Sequence, residues 1–316
     1  MEYPHKSVLL AEVTQQLNCT RECTIVDCTL GGAGHSETIL ENIAPQGFLL
    51  GIEQDDAAID AARVRIARFS QQFEIFKGNF ADIDKALTQT GLVKVDGFLL
   101  DLGLSSLQLA DADRGFSYQV DGPLDMRFDR QSALKAADIV NGYTEAELAR
   151  VIKDYGEERW AGRIASFIVR AREREPIMRT GQLVELIKAA IPASARRRGG
   201  HPAKRTFQAL RIEANHELEA LKTALDAMPK WLNPGGRIAI ISYHSLEDRL
   251  VKTKFKELAA GCICPPRTPM CVCGHQPVLR IVTGRPILPT EAEIEANPRA
   301  RSARLRVAEK VPDADS

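Results

Sequence analysis

A glycine-rich turn that directly follows a short apolar strand constrains the fold of this chain more than any other feature of its sequence. The strand ends at Asp27, and Gly31, Gly32 and Gly34 follow closely. Glycine tolerates positive φ and lets a ligand approach the main chain, and the helix expected after His35 presents free amides at its N-terminus. This pattern predicts a strand–turn–helix unit that binds a nucleotide-type cofactor.

The spacing of the glycines separates two classes of cofactor. The dinucleotide fingerprint G-x-G-x-x-G needs a further glycine at position 36 or 37, where this chain has Ser36 and Glu37. The next apolar run ends in Glu53, an acid placed to accept hydrogen bonds from both hydroxyls of a ribose. The sequence therefore favours S-adenosyl-L-methionine over NAD. An ordinary strand–helix turn beside a surface glutamate is the alternative.

Composition and charge limit the class of protein. The chain has 316 residues, 44% of them hydrophobic, which suffices for about two domains with buried cores. No apolar run approaches the roughly 20 residues that span a bilayer, so we expect a cytoplasmic protein without a membrane partner. Seven cysteines suit a reducing compartment. The 42 basic and 42 acidic residues balance, which argues against non-specific coating of nucleic acid.

Short apolar strands alternate with helical patterns, which predicts β-α-β units and a mainly parallel sheet. Strands are expected at 24–27, 48–53, 73–76, 95–101, 237–243, 278–283 and 303–310. Helices are expected at 56–69, 144–173, 180–191 and 204–231. We therefore predict an α/β fold with a seven-stranded doubly wound sheet and an inserted all-helical domain at 111–211. The segments 1–110 and 212–316 would together form a discontinuous catalytic domain.

Several blocks of sequence, spread in a fixed order over nearly the whole chain, carry a family resemblance. They are His5–Leu10, Gly34–His35, Leu100–Ser106, Arg114–Ser117, Asp121–Arg127, Tyr155–Arg159, His201–Ala203, Arg205–Ala209, Ser242–Arg249 and Asn297–Ser302. With these blocks the chain resembles the MraW/RsmH family of bacterial 16S ribosomal RNA (cytosine-N4) methyltransferases.

The resemblance implies a class I, Rossmann-like methyltransferase that uses S-adenosyl-L-methionine. Its implied substrate is the N4 amine of a cytidine in the decoding region (P site) of 16S rRNA in the small ribosomal subunit. Carried over by position, the cofactor contacts are Ala33, Gly34, His35, Glu53, Phe80, Asp101 and Gln108. Ala33 stands where the family usually has glycine and Glu53 where it usually has aspartate, so the longer Glu53 must sit further back from the ribose.

Asp101 and His244 are the predicted catalytic residues. Asp101 ends the fourth strand, at the edge where ligands of doubly wound folds bind. Phe80 follows the third strand and is expected at the same edge. Phe80 is expected to cover the adenine, with a place in the core as the alternative. The chain lacks the Asp/Asn-Pro-Pro-aromatic tetrad of many amino-group methyltransferases, so Tyr243 and His244 are the candidates for stacking on the target base. Alternatively, Tyr243 merely finishes its strand and His244 caps the next helix.

Clusters of basic residues predict contact with RNA. The window 193–212 contains no acid, and it holds the predicted RNA-binding residues Arg196, Arg197, Arg198, Lys204 and Arg205, together with Arg211. A second cluster comprises Arg299, Arg301, Arg304 and Arg306. Guanidinium groups neutralise phosphates and stack on unpaired bases. The alternative is a solvated helix face.

Four cysteines form the pattern C-x-C-x6-C-x-C, namely Cys262, Cys264, Cys271 and Cys273, with His275 nearby. Such a set could hold zinc, but the spacing is unusual and the neighbouring prolines also fit a rigid loop. No metal ligand is assigned from the sequence.

Two other functions stay open at this point, a dinucleotide-dependent oxidoreductase and a non-catalytic ribosome assembly factor. A cofactor-binding measurement would distinguish the oxidoreductase from a methyltransferase, and a measurement of methyl incorporation would distinguish the assembly factor from one. The sequence leaves undecided the exact nucleotide, whether free rRNA or the assembled subunit is the substrate, and the oligomeric state, with a homodimer among the options.

Overall fold

The computed structural model describes residues 7–196, 200–265, 270 and 272–312. The chain divides into two compact units, the first formed by Met1–Gly103 with Leu218–Ser316, the second by Leu104–Glu217. The second unit is thus inserted into the first. Its boundaries lie several residues outside the predicted 111–211, because Leu104 and Leu109 pack against the apolar core of the second unit.

The first unit is built on a seven-stranded sheet, as predicted. The strands are β1 (Thr24–Asp27), β2 (Phe48–Glu53), β3 (Phe73–Lys77), β4 (Val95–Asp101), β5 (Leu232–Ser242), β6 (Leu279–Ile281) and β7 (Arg304–Lys310). Their order is β3-β2-β1-β4-β5-β7-β6. Strands β1 to β5 are parallel, whereas β7 runs antiparallel to β5 and to β6. This α/β arrangement is that of class I, Rossmann-like methyltransferases, which confirms the predicted fold class.

Strand β5 begins earlier than predicted, because it contains a bulge. Leu232 pairs with Val95 and Arg237 pairs with Gly97, so the residues between Leu232 and Arg237 bulge out of the ladder. Gly235 has φ 80° within this bulge, a conformation that glycine adopts without strain. The sequence pattern shows this stretch as a turn before the strand.

Fourteen α-helices lie in the described part of the chain. They are α1 (Leu10–Leu17), α2 (Gly34–Ile43), α3 (Asp56–Arg65), α4 (Ile83–Gln89), α5 (Ser106–Ala110), α6 (Ala136–Gly142), α7 (Glu145–Gly156), α8 (Ala161–Arg172), α9 (Thr180–Ala190), α10 (Ala193–Arg196), α11 (Lys204–Asn215), α12 (Glu217–Trp231), α13 (Ser245–Leu258) and α14 (Glu291–Ala296). None of these helices is both long and apolar enough to cross a bilayer.

Three of the predicted helices are interrupted. The predicted helix 144–173 is α7 and α8, separated at Glu157 with φ 48°, and the predicted helix 204–231 is α11 and α12, separated at His216 with φ 50°. Helix α3 ends at Arg65 and a 3-10 turn completes the predicted 56–69. A single left-handed residue redirects the backbone without disturbing the spacing of apolar residues, so periodicity alone misses the breaks at Glu157 and His216.

Apolar side chains cover both faces of the sheet, as a doubly wound fold requires. Phe98 packs on one face with residues of α12 and α13, and its neighbour Leu99 packs on the other face with residues of α1 and α2. The second unit has a separate core, formed largely by α7, α8, α9 and α11.

Candidate functional site at the carboxyl end of the sheet

Three acidic residues lie at one edge of the sheet. Asp27, Glu53 and Asp101 each end a strand, and β1 lies between β2 and β4 in parallel register. Because parallel strands present their carboxyl ends at the same edge, the fold brings the three acids to the side where ligands of doubly wound sheets bind.

The glycine-rich turn is shaped by two different requirements. Gly31 has φ 50° and the buried Ala33 has φ 59°, so the turn places an alanine in the left-handed region, at a cost of about 1 kcal/mol. A Cβ on Gly34 would lie 2.1 Å from the Ser7 hydroxyl, so a side chain at position 34 would force Ser7 to move. A Cβ on Gly32 would meet no atom within 4 Å, so this part of the turn faces open space that a ligand can enter.

The Glu53 carboxylate is held by three backbone amides. Gly31 N donates to Oε2 at 2.8 Å, and the amides of Gln54 and Asp55 donate to Oε1 at 2.8 and 2.9 Å. Burial raises the pKa of Glu53 above its usual value, and these amides oppose the rise. A carboxylate has about four acceptor positions, so about one remains for a ligand hydroxyl, where the sequence suggested two. Glu53 therefore also fastens the glycine turn to β2.

Asp27 also holds the glycine-rich turn in place, although the sequence did not single it out as a site residue. Its buried carboxylate accepts a hydrogen bond from the Ser36 hydroxyl at 2.6 Å and another from the Thr29 amide at 3.1 Å. Burial raises the pKa of Asp27. The carboxylate thereby links the end of β1 to the first turn of α2. Its position directly before the glycines is the sequence signal that could have identified it.

Asp101 lies between a tyrosine and a histidine. The Tyr243 hydroxyl donates to Oδ1 at 2.7 Å, and His35 Nδ1 lies 3.6 Å from Oδ2. His35 Nε2 lies 2.9 Å from the Val8 carbonyl oxygen, which can only accept, so Nε2 carries a proton. Burial, together with the charge of Asp101, raises the pKa of Tyr243 well above its usual value, so the tyrosine remains a donor.

Tyr243 also packs over Gly103, where φ is 106° and a Cβ would lie 3.4 Å from the ring. The fold therefore uses its hydroxyl to orient Asp101, a role that the sequence did not predict. Stacking of the tyrosine on a target base remains a prediction.

His244 occupies the N-cap position of α13. Its Nδ1 accepts from the Glu247 amide at 3.4 Å, and its Nε2 lies 3.0 Å from Glu247 Oε1. This is the capping role that the sequence offered as the alternative. Its predicted catalytic role remains a prediction.

The remaining cofactor candidates lie in different units. Phe80 opens a 3-10 turn after β3 in the first unit, where it is half-buried against one of the two apolar clusters of the sheet. Gln108 is buried in the second unit, where its amide and side chain form a capping box with Ser105 at 3.2 and 3.1 Å. The other five candidates, Ala33, Gly34, His35, Glu53 and Asp101, all lie at the carboxyl edge of the sheet.

The predicted RNA-binding residues lie in the second unit. Three of them are exposed: Arg196 at the end of α10, and Lys204 and Arg205 in the first turn of α11. Arg197 and Arg198 lie outside the described residues. Arg205 donates to the Glu157 carbonyl at 3.0 Å. Exposed cations at these positions leave the prediction of RNA contact open to a direct test.

Other arginines of the two basic clusters are structural. Arg211 forms an ion pair with Glu217 at 2.7 Å. In the second cluster, Arg306 and Arg304 donate to Asp248 at 2.7 and 3.1 Å. Burial acts to raise the pKa of Asp248, but the two arginines outweigh it and hold the pKa below its usual range. Each of these three cations has an acidic partner within the protein, and the Arg304 side chain is still 50% exposed. Contact of the second cluster with RNA stays a prediction.

The sequence matches the family model of the MraW methylase family over residues 2–311. The chain belongs to the MraW methylase family. It is 51% identical over 311 residues to ribosomal RNA small subunit methyltransferase H of Clostridioides difficile, a match that covers 98% of this chain and 100% of the relative. It is 53% identical over 311 residues to the protein of the same name from Geobacter sulfurreducens, with 98% and 100% covered.

Among solved structures, the fold is similar to an rRNA methylase from Streptococcus thermophilus, with 9% identity and a TM-score of 0.43 over 96% of this chain and 94% of that chain. Membership of the MraW methylase family confirms the resemblance inferred from the sequence blocks. It also confirms S-adenosyl-L-methionine, the methyl donor of such an enzyme, as the cofactor.

Proposed function

We propose that this MraW-family methylase transfers a methyl group to the N4 amine of a cytidine in the decoding region (P site) of 16S rRNA, in the small ribosomal subunit. Relatives that are 51% and 53% identical over 98% of the chain are small subunit rRNA methyltransferases by name, which supports the class of substrate. The observation that carries the chemistry is the Asp101 carboxylate, oriented by Tyr243 at the edge that also holds the glycine turn.

The first unit offers a fitting place for the cofactor. The open face of Gly32 admits a ligand to the main chain, and Glu53 lies beside it with about one acceptor position available for a ribose hydroxyl. Ala33, His35 and Phe80 complete the proposed binding set, with Gln108 assigned from the family pattern. When bound, S-adenosyl-L-methionine supplies a methyl group on a positively charged sulfur, which leaves as a neutral thioether.

Asp101 acts on the amine in this proposal. The lone pair of a cytosine N4 amine is delocalised into the ring, which makes the nitrogen a poor nucleophile. A carboxylate that accepts a hydrogen bond from the N–H polarises the amine and turns its lone pair out of conjugation, toward the incoming methyl group. Tyr243 donates to the same carboxylate and so fixes its orientation. After transfer the nitrogen is cationic, and water can remove the proton without a base tuned to neutral pH.

RNA binding falls to the second unit in this proposal. Arg196, Lys204 and Arg205 are exposed and can neutralise phosphates. The target cytidine must be unpaired and unstacked before its amine can reach Asp101. Folded rRNA in a subunit can present such a base, and a protein with balanced charge can then recognise shape through a few cationic contacts.

Mass spectrometry of nucleosides tests the proposal. The purified protein is incubated with isotope-labelled S-adenosyl-L-methionine and small ribosomal subunits from cells that lack the enzyme, in parallel with naked 16S rRNA. We expect labelled N4-methylcytidine in at least one arm, and the arms show which form is the substrate. A label in another nucleoside would overturn the N4 assignment. Cofactor binding without incorporation in either arm would favour the assembly factor.

A further inference from the structure

We propose that Cys262, Cys264 and Cys273 bind one zinc-class divalent metal ion as a structural thiolate site, in the loop that joins α13 to β6. Their three sulfur atoms all lie within 4.8 Å of one another. Two of the cysteines are separated by only one residue, and the third comes from further along the loop. The site is independent of the proposed methyl transfer, because none of its residues belongs to the carboxyl edge of the sheet.

The distances fit metal coordination. The sulfurs of Cys262 and Cys273 lie 3.8 Å apart. A tetrahedral zinc ion with Zn–S bonds of about 2.3 Å places its sulfur ligands about 3.8 Å from one another, whereas a disulfide needs about 2.05 Å. The observed separation, at which the two sulfurs form a hydrogen bond, is therefore also the one that a shared tetrahedral ion requires.

Backbone amides of the same loop approach the sulfurs. The amide of Cys264 donates to the sulfur of Cys262 at 3.4 Å, and the amide of Ile263 donates to that of Cys273 at 3.5 Å. N–H donors to ligand sulfurs are common around metal–thiolate sites, where they orient the ligands. Elsewhere in the chain, burial raises the pKa of Cys19 to about 12 and that of Cys28 well above its usual value, so those cysteines remain thiols.

Burial of apolar surface contributes little order to the described part of this loop. None of its described residues between 261 and 278 is buried. Its apolar side chains point outward, with Ile263, Met270 and Val272 exposed by 62%, 75% and 82%. A segment that buries so little apolar surface needs another source of order, and a structural metal provides it, as it does in other small folds without a core.

The fourth ligand is a question for the experiment. Cys271 completes the sequence pattern but lies outside the described residues. His275 lies two residues beyond Cys273, and its Nε2 is buried without a hydrogen-bond partner in the described part of the chain. Replacing Cys271 by Ser and His275 by Ala, one at a time, distinguishes the two.

Metal analysis of the full-length protein tests the site. We expect about one zinc per chain by elemental mass spectrometry after dialysis against zinc and then buffer. Cys262→Ser and Cys273→Ser should lose it. Cys23→Ser is the matched control, because this half-buried cysteine also accepts an amide hydrogen bond, from Thr20 at 3.2 Å, yet lies outside the cluster. Zinc retained in both cluster variants, or absent from the wild type, would overturn the proposal.

Cobalt substitution keeps the test independent of the variants' stability. The wild-type protein loaded with Co²⁺ should show the sulfur-to-cobalt charge-transfer band and the intense visible bands of a tetrahedral thiolate site. Removal of the metal by a chelator should then speed proteolytic cleavage within 261–278 and leave S-adenosyl-L-methionine binding unchanged. A cobalt spectrum without thiolate ligation would refute the proposal even if every variant misfolded.

Discussion

The two units hold the charges of their proposed sites in opposite ways. In the first, the acids at the sheet edge are anchored by the protein itself: three amides hold Glu53, and a tyrosine hydroxyl orients Asp101, whose side chain is 22% exposed. In the second, Arg196 and Lys204 project into solvent. Fixed, partly buried charges suit chemistry at short range, whereas exposed cations act through long-range, salt-sensitive attraction. Changes in the first unit should therefore alter rate and cofactor binding, and changes in the second should alter RNA affinity.

The largest effect is expected at Asp101. Asp101→Ala should lower the single-turnover methylation rate about 10²- to 10³-fold at saturating cofactor, comparable to the loss of one preorganised transition-state hydrogen bond. Asp101→Asn should lose less, because it keeps an acceptor oxygen. Asp60→Ala, which removes an exposed acid from α3, serves as the control. A wild-type rate in Asp101→Ala would reduce Asp101 to a cofactor contact and direct attention to Ser105, Tyr243 and His244.

Glu53 should affect binding more than rate. We expect Glu53→Ala to weaken S-adenosyl-L-methionine binding by about 1.5–3 kcal/mol, or about 10- to 150-fold, measured by calorimetry. The loss combines the hydroxyl contact with the release of the Gly31 amide. Glu74→Ala, an exposed acid on β3, should bind normally. Unchanged affinity in a folded Glu53→Ala protein would refute the ribose assignment.

The second unit should respond only in RNA binding. Arg196→Ala combined with Lys204→Ala should lower the slope of log affinity against log salt by up to about two phosphate contacts, each worth about 0.7–0.9 in the slope. Cofactor affinity should stay the same. Lys222→Ala with Lys252→Ala removes two exposed lysines from the first unit as the matched control. Equal slopes for both double variants would mean that the cations at 196 and 204 are only a solvated surface.

The smallest effect concerns pH. Burial raises the pKa of Glu53 above its usual 4.5 in the protein alone, and a ribose hydroxyl that donates to the carboxylate favours the ionised form. Cofactor affinity should therefore be highest above the raised pKa of Glu53, and it should fall as the pH drops through that pKa. Calorimetry from about pH 7 down toward the usual 4.5 should show this decline in the wild type. A Glu53→Gln protein should lack that decline, and an identical decline in both would assign the titration to another group.

Much of the first unit could be predicted because its signals are local. Strands β1, β2 and β4 are short, mainly apolar runs, and parallel strands necessarily bring Glu53 and Asp101 to one edge. The pairing of Asp248 with Arg304 and Arg306 could not be predicted, because these side chains meet only through the antiparallel contact of β5 with β7. The hydrogen bond from Tyr243 to Asp101 could not be predicted either, because the two residues lie at the ends of β5 and β4, which are neighbours in the sheet but far apart in sequence. Single left-handed residues such as Glu157 leave no mark on the spacing of apolar residues, so that spacing does not predict them.

The insertion of the second unit between β4 and β5 also delays the synthesis of β5 relative to that of β4. A ribosome that adds about 5–20 residues per second needs on the order of ten seconds to carry the chain from Asp101 to Leu232. Throughout that interval β4 has β1 on one side and no strand on the other, an open edge on which stray pairing can begin. Tyr243 emerges later still, so a nascent chain has Asp101 without its orienting hydroxyl. The enzyme becomes competent only near the end of its own translation.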